Sequence, residues 1–276
     1  MNDNPEIGKS LQAAGLTTNY HDLGNGAPVV LVHGSGPGVS AWANWRTVLP
    51  VLGENFRVVA PDMAGFGYSE RPADGVYSLG RWCAHLLGLF DALGLTRAHL
   101  IGNSFGGALC LAFTIAHPER VERLVLMGSV GLDFPLTPGL DQVWGYQPSV
   151  AAMRGLMELF AYDPGLVSDE LAALRHKASI RPGVQEAYSA MFPAPRQRWV
   201  AAMASREEDI AAIGHETLVI HGRDDKVIPL DCGQRLNRLI KRSDLHVFGR
   251  CGHWAQIEKS TDFCRLTSHF LAEGLS

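Results

Sequence analysis

Charge is scarce in this chain, and neither sign prevails. Of 276 residues only 19% are Asp, Glu, Lys or Arg, and 24 basic against 28 acidic side chains leave a formal net charge of −4. The basic surplus that marks a general nucleic-acid binder is missing. Cysteine is scarce too. The five present are an odd number spread far apart, which is not a disulfide framework. They read as reduced thiols, with Cys110 and Cys264 packed in the core from predicted helices. The opening MNDNPEIGKS holds two acids and no apolar run, so it is not read as a secretory signal, and a soluble cytoplasmic protein is expected. One stretch, residues 98–118, carries no Lys, Arg, Asp or Glu. A membrane helix needs about 20 mostly apolar residues, but Asn103, Ser104 and the pair Gly106-Gly107 interrupt this one. It reads instead as a buried strand, a sharp turn and a buried helix.

What the chain does have is apolar residues, 46% of the total, enough for a globular domain with a sizeable core. Six short apolar runs end at turn residues: 29–32, 56–60, 99–101, 124–127, 217–220 and 245–248. Continuous runs of this kind are typical of a parallel sheet covered on both faces. Helical periodicity lies between most of them, over 81–94, 108–116, 231–240 and 262–271. The alternation predicts an α/β fold with a mostly parallel sheet. Between about 133 and 206 the pattern becomes helical and proline-punctuated, with no convincing strand. A helical block inserted between two parallel strands would sit over their carboxyl ends, where open α/β sheets bind ligands. The expected division is a core of residues 1–132 and 207–276 and a helical cap of 133–206.

The strongest chemical signal is Gly102-Asn103-Ser104-Phe105-Gly106. It is a G-x-S-x-G that follows a strand and opens a helix, the context of a nucleophile elbow. The turn exposes the serine hydroxyl, and glycine on either side removes Cβ atoms that would clash. Serine needs a base, and in this topology the acid and the histidine follow in that order, each after a later strand. His253 follows the sixth run, whereas His246 lies within it and is expected to pack there. After the fifth run, Asp224 and Asp225 are adjacent candidates for the acid, and the spacing does not choose between them; Asp133 is a weaker third. An oxyanion needs backbone N–H donors. One should come from Phe105, the other from the loop His33-Gly34-Ser35-Gly36-Pro37-Gly38.

Other chemistries fit less well. A dinucleotide motif starting at Gly34 would need glycine where Val39 stands. His215-Glu216 begins a zinc motif whose second histidine would stand at Val219, and Cys251-Gly252-His253 lacks a companion pair at ligand spacing. No metal and no cofactor are expected.

Together with Asp62-Met63-Ala64-Gly65-Phe66-Gly67-Tyr68-Ser69, a D-x-x-G-x-G-x-S turn, these motifs resemble the α/β-hydrolase family over nearly the whole chain. The resemblance narrows to the meta-cleavage-product hydrolases. It is carried by Ser35-Gly36-Pro37-Gly38 with Trp42 and Asn44, by Gly102-Asn103-Ser104-Phe105-Gly106-Gly107, by Met127-Gly128-Ser129-Val130-Gly131 and by Cys251-Gly252-His253-Trp254-Ala255-Gln256. Cap segments 175–183 and 191–199 are similar too. Generic esterases share the triad but not Gly102-Asn103-Ser104 together with His253-Trp254. The resemblance implies an α/β-hydrolase fold and cleavage of a carbon–carbon bond in a 2-hydroxy-6-oxohexa-2,4-dienoate from catechol ring fission. The implied products are 2-hydroxypenta-2,4-dienoate and a carboxylic acid. It implies a triad of Ser104, Asp225 and His253, with Asp224 at a variable position, and an oxyanion hole from the Ser35 and Phe105 N–H groups. It assigns Arg175, Asn44, Asn103 and Trp254 to the dienoate. It also implies a homodimer or higher homo-oligomer. An anionic substrate entering an acidic protein needs local positive charge, which a planar guanidinium supplies in two-point fashion.

The rival readings are a carboxylesterase with the same triad and a non-catalytic receptor on this fold. Epoxide hydrolases and dehalogenases place Asp where Ser104 stands and are disfavoured. Cap residues Leu140, Val143, Trp144, Met153, Met191 and Phe192 are expected to decide the substituent on the substrate ketone.

Overall fold

Short apolar runs form a sheet when they stack edge to edge and bury both faces. In a computed structural model describing residues 4–275, all six predicted runs do so. The strands are Lys9–Ala13 (β1), Leu16–Leu23 (β2), Pro28–Val32 (β3), Arg57–Pro61 (β4), Ala98–Asn103 (β5), Val121–Met127 (β6), Thr217–Gly222 (β7) and Ser243–Phe248 (β8). They form one sheet in the order β1-β2-β4-β3-β5-β6-β7-β8. From β4 to β8 every pairing is parallel. The β1–β2 hairpin is antiparallel, and β2 pairs antiparallel with β4. The sequence reading missed this hairpin. Its residues are mixed polar and apolar because β1 is a largely exposed edge strand, so no continuous apolar run marks it.

Helices cover both faces: Ala41–Trp45 (α1), Leu49–Leu52 (α2), Leu79–Ala92 (α3) and Phe105–Ala116 (α4) early in the chain. Between β6 and β7 come Pro138–Trp144 (α5), Val150–Phe160 (α6), Asp169–Ser179 (α7), Val184–Met191 (α8), Gln197–Ala202 (α9) and Glu207–Ala211 (α10), with no strand among them. Leu230–Leu239 (α11), Ala255–Glu258 (α12) and Ser260–Glu273 (α13) complete the chain. Two apolar clusters flank the sheet. One holds Val30, Val32, Leu100 and the α3–α4 face, and the other Val29, Leu31, Ile101 and the α1–α2–α13 face. Alternate residues of each central strand thus point to opposite layers. Cys110 and Cys264 are buried in these clusters, and the cysteines are unpaired. Among the described residues no helix is long and apolar enough to cross a membrane.

The chain leaves β3 for β4 on one side and returns to β5 on the other. The carboxyl ends of β3 and β5 therefore diverge at a switch point, where open α/β sheets form a crevice. The loops 33–38 and 103–105 stand there.

Candidate active site

Ser104 sits between β5 and α4 with φ 56° and ψ −115°, a left-handed strain uncommon for a side-chain-bearing residue. Its surroundings fix the turn. The Ser104 N–H donates to the Met127 carbonyl at 2.9 Å, and its carbonyl accepts from Gly107 and Val130 at 2.9 and 3.2 Å. A Cβ on Gly102 would run into the Gly106 carbonyl, and one on Gly106 into the Val32 carbonyl. Both glycines are therefore required by close backbone approach. Phe105 opens α4, so its N–H has no acceptor within the helix. Ser35 follows β3, and no acceptor among the described residues takes its N–H. Its hydroxyl accepts from Trp144 Nε1 at 3.1 Å, so α5 holds the loop.

His253 Nδ1 donates to Asp225 Oδ2 at 2.7 Å, which leaves Nε2 unprotonated in the neutral ring. Asp225 Oδ1 accepts from the Val227 and Ile228 N–H groups at 2.8 and 3.0 Å. Burial pushes the Asp225 carboxyl up. The charge and hydrogen bond of His253, His221 at 3.5 Å and the Ile228 amide outweigh it and hold the group below its ordinary value. Burial pulls His221 down, and its Nε2–H donates to the Ile228 carbonyl at 3.0 Å. The sequence singled out neither this contact nor Gly128 for a role. Gly128, with φ 51°, lies beneath the pair: a Cβ there would stand 3.2 Å from His253 Nδ1 and 3.4 Å from Asp225 Oδ2. The structure separates the adjacent aspartates. Asp224 Oδ2 turns back to accept from the Cys251 N–H at 3.3 Å, and Asp133 is exposed, its carbonyl engaged with Arg235 at 2.9 Å. His253 is also clamped by the inserted helices: its N–H donates to the Phe160 carbonyl at 2.7 Å, and the Phe160 ring stacks on it at 5.7 Å.

Ser104, His253 and the loop 34–37 line one cavity of about 260 Å³. Asn44, Asn103, Arg175 and Trp254 line it as well. Asn103 Nδ2 donates weakly to Met127 O at 3.4 Å, and Asn44 Oδ1 accepts from the Gly34 N–H at 3.2 Å. Arg175 reaches the wall from α7, but both its Nη atoms are engaged. Nη1 pairs with Glu6 Oε1 at 2.8 Å and Nη2 donates to the Gly38 carbonyl. A second guanidinium on the same wall, Arg46 at the end of α1, was missed by the sequence reading. Burial and the neighbouring Arg175 pull it below its ordinary pKa, against Glu6. Only the topology could find it, since nothing in its sequence context distinguishes it from a surface arginine.

Of the cap residues expected to shape the cavity, Leu140, Val143 and Met153 line it, joined by Met157, Phe160 and Leu171. Trp144, Met191 and Phe192 do not. Trp144 stacks on Phe192 with centroids 4.5 Å apart, forming a layer behind the wall, and Met191 packs against the Gly65 turn. The indole N–H explains the difference for Trp144, since it must find an acceptor when buried and finds Ser35. No cluster of three or more His, Cys, Asp or Glu suited to a metal occurs among the described residues.

Comparison with known proteins agrees with this geometry. The family profile described as alpha/beta hydrolase fold matches residues 27–260. The chain is 64% identical over 271 residues to 2-hydroxy-6-oxo-2,4-heptadienoate hydrolase of Pseudomonas putida, covering 98% of each. It is 59% identical to 2-hydroxymuconate semialdehyde hydrolase of a Pseudomonas species, covering 98% of this chain and 96% of the relative. A crystal structure of a serine-to-alanine mutant of the meta-cleavage product hydrolase of Pseudomonas fluorescens, with acetates bound, superimposes with a TM-score of 0.97. Its sequence identity is 56%, over 99% of this chain and all of that one.

Proposed function

The chain belongs to the meta-cleavage-product hydrolases of the α/β-hydrolase family. It hydrolyses a carbon–carbon bond of a ring-fission dienoate, and from that premise we propose a substrate with a small substituent, hydrogen or methyl, on its ketone. The relatives at 64% and 59% identity are named for the methyl ketone and the aldehyde. For the methyl ketone the balance is 2-hydroxy-6-oxohepta-2,4-dienoate plus water to 2-hydroxypenta-2,4-dienoate plus acetate.

In this reading Ser104, Asp225 and His253 act as the triad. The dienol first becomes its keto tautomer, which gives the breaking bond an electron sink. His253 Nε2, left free by the Nδ1–H bond to Asp225, takes a proton as the remote ketone is attacked and returns it to the departing carbon. Asp225 keeps the ring oriented and stabilises its cation. The Ser35 and Phe105 N–H groups receive the developing oxyanion. Asn44, Asn103, Arg175 and Trp254 handle the dienoate, Arg175 through its positive charge. Residues 133–206 act as a lid that shapes the cavity and seats His253 through Phe160. A cytoplasmic homo-oligomer is part of the reading; β8 leaves one backbone edge of the sheet open for pairing.

The observation that carries the proposal is one cavity joining the Ser104 elbow and the Asp225–His253 pair to a wall bearing two guanidiniums. The test is a spectrophotometric panel of ring-fission products, following loss of the dienolate absorbance. The aldehyde and methyl ketone should be turned over faster than a phenyl ketone. Ser104→Ala should lose several orders of magnitude while remaining folded. Turnover of a nitrophenyl ester without turnover of any dienoate would overturn the reading.

A further inference from the structure

His253 shares its carboxylate with a second imidazole. His221, near the end of β7, is fully buried. Its Nε2 stands 3.0 Å from the Ile228 carbonyl and 3.5 Å from Asp225 Oδ2, the same oxygen that takes His253 Nδ1–H at 2.7 Å. A carbonyl only accepts, so His221 Nε2 carries the proton. Its Nδ1 has no partner among the described residues. That nitrogen faces α11 at Gly233, where a Cβ would stand 2.8 Å away. The ring is therefore neutral. A second proton would sit on Nδ1, buried, with nothing to accept it, and burial pulls the group down accordingly.

The contacts close a ring. Asp225 Oδ1 accepts from the Ile228 N–H at 3.0 Å, the Ile228 carbonyl accepts from His221, and the His221 N–H edge faces Asp225 Oδ2. No other donor among the described residues takes that carbonyl. Without the imidazole the 225–228 turn would lose its anchor to β7 and leave a buried carbonyl unpaired, which is costly. Gly233 is a second, independent observation. Glycine within a helix costs stability relative to alanine, and here the close approach of the His221 ring requires it.

We propose that His221 is a positioning residue for the acid of the triad: its neutral Nε2–H edge pins the 225–228 turn and holds Asp225 Oδ2 on His253 Nδ1. This deepens the proposed function and rests on its triad. His221 is not part of the cavity wall, so it acts through Asp225 and touches no substrate. The arrangement also sorts the proton. One carboxylate faces two imidazoles, but His253 lines the cavity with its Nε2 bare, whereas the bare nitrogen of His221 is sealed against α11. The cation therefore forms at His253 alone.

The test compares His221→Leu, which keeps an apolar filling and deletes the donor, with His221→Gln, whose amide nitrogen can reach the place of Nε2. Kinetics on 2-hydroxymuconate semialdehyde is read beside urea unfolding and the far-downfield proton resonance of the His253–Asp225 hydrogen bond. His221→Leu should lower kcat by about ten- to a hundredfold with KM nearly unchanged, and shift or broaden the resonance. His221→Gln should recover most of both. Gly233→Ala approaches the ring from the other side and serves where His221→Leu fails to fold: its added methyl suits the helix but displaces the imidazole, so kcat should fall and the resonance move in a folded protein. Full kcat with an unchanged resonance in folded His221→Leu or Gly233→Ala would overturn the assignment. So would equal losses in His221→Leu and His221→Gln, which would mean that the ring only fills space. Each of these results leaves the proposed function standing as long as the wild-type enzyme turns over the dienoate. A wild type inactive on every dienoate would remove that function, and the resonance alone would then decide the role of His221.

Discussion

At the scale of single residues, the geometry around His253 sorts neighbours that the sequence leaves equivalent. Asp225 holds the imidazole at 2.7 Å, whereas Asp224 accepts from the Cys251 N–H at 3.3 Å, a role an asparagine oxygen can keep, and pairs with the partly exposed Arg223 at 3.7 Å. Asp225→Asn is therefore expected to cut kcat by several orders of magnitude, because an amide supports the wrong imidazole tautomer. Asp224→Asn should cost less than tenfold. Steady-state kinetics on the two purified variants decides it, and reversed severity would move the acid to Asp224. Gly128 is a quieter case. Its φ of 51° disfavours any side chain, and a Cβ would crowd the His253 ring at 3.2 Å from Nδ1 while only touching Asp225 Oδ2 at 3.4 Å. Gly128→Ala should cost about 1–2 kcal/mol of stability from the left-handed backbone and lower kcat at least tenfold by displacing the imidazole. Urea unfolding beside kinetics separates the two, and full activity in the folded variant would show that the pair tolerates displacement.

At the scale of elements, the inserted helices act on the sheet through a few polar contacts. From α5, Trp144 donates to Ser35 Oγ at 3.1 Å while its ring stacks on Phe192. Trp144→Phe keeps the stack and deletes the N–H. One buried hydrogen bond is worth about 1 kcal/mol. The expected result is a few-fold fall in kcat with KM nearly unchanged, as the oxyanion loop loosens and the carboxylate end is untouched. A rise in KM at constant kcat would place the effect on ground-state binding instead. The end of α6 is a second contact of this kind: the Phe160 carbonyl takes the His253 N–H, and the Tyr162 N–H just beyond it donates to Glu258 Oε2 of α12 at 2.8 Å.

At the scale of the whole molecule, buried histidines set the acid limit. Burial pulls His33, His85 and His99 down to about 4. His33 Nε2 accepts from the Met63 N–H at 2.9 Å and His85 Nδ1 from the Ala64 N–H at 3.3 Å, so protonating either nitrogen breaks a bond. Unfolded histidine binds its proton near 6.5. The stability tied to the neutral rings is thus present above that value and is lost as pH falls from 6.5 towards 4. Asp62 runs the other way. Burial raises it to about 6, so it gains stability for the fold as pH drops from 6 towards 3.8. Three histidines against one carboxyl give a net loss, on the order of a few kcal/mol. Urea midpoints should fall steadily between pH 7 and pH 5, and a flat profile would show that these rings titrate together with solvent.

The sequence by itself determined the strand–helix alternation, the Ser104 elbow and the histidine after the last strand. Those signals are local: an apolar run, a turn needing glycine, and an order of elements. It could not see the β1–β2 hairpin, whose exposed edge lacks an apolar pattern. Sequence physics alone could not choose between Asp224 and Asp225 either, since adjacent side chains share every local signal and only packing against His253 separates them. The pairing of Arg175 with Glu6 spans nearly the distance from the start of the chain to the seventh helix, and Arg46 gains its meaning only because α1 and α7 meet at one cavity. Tertiary structure alone decided those points. Charge and hydrogen bonding act through space over a few ångströms, and nothing in the order of residues records which distant groups the fold brings that close.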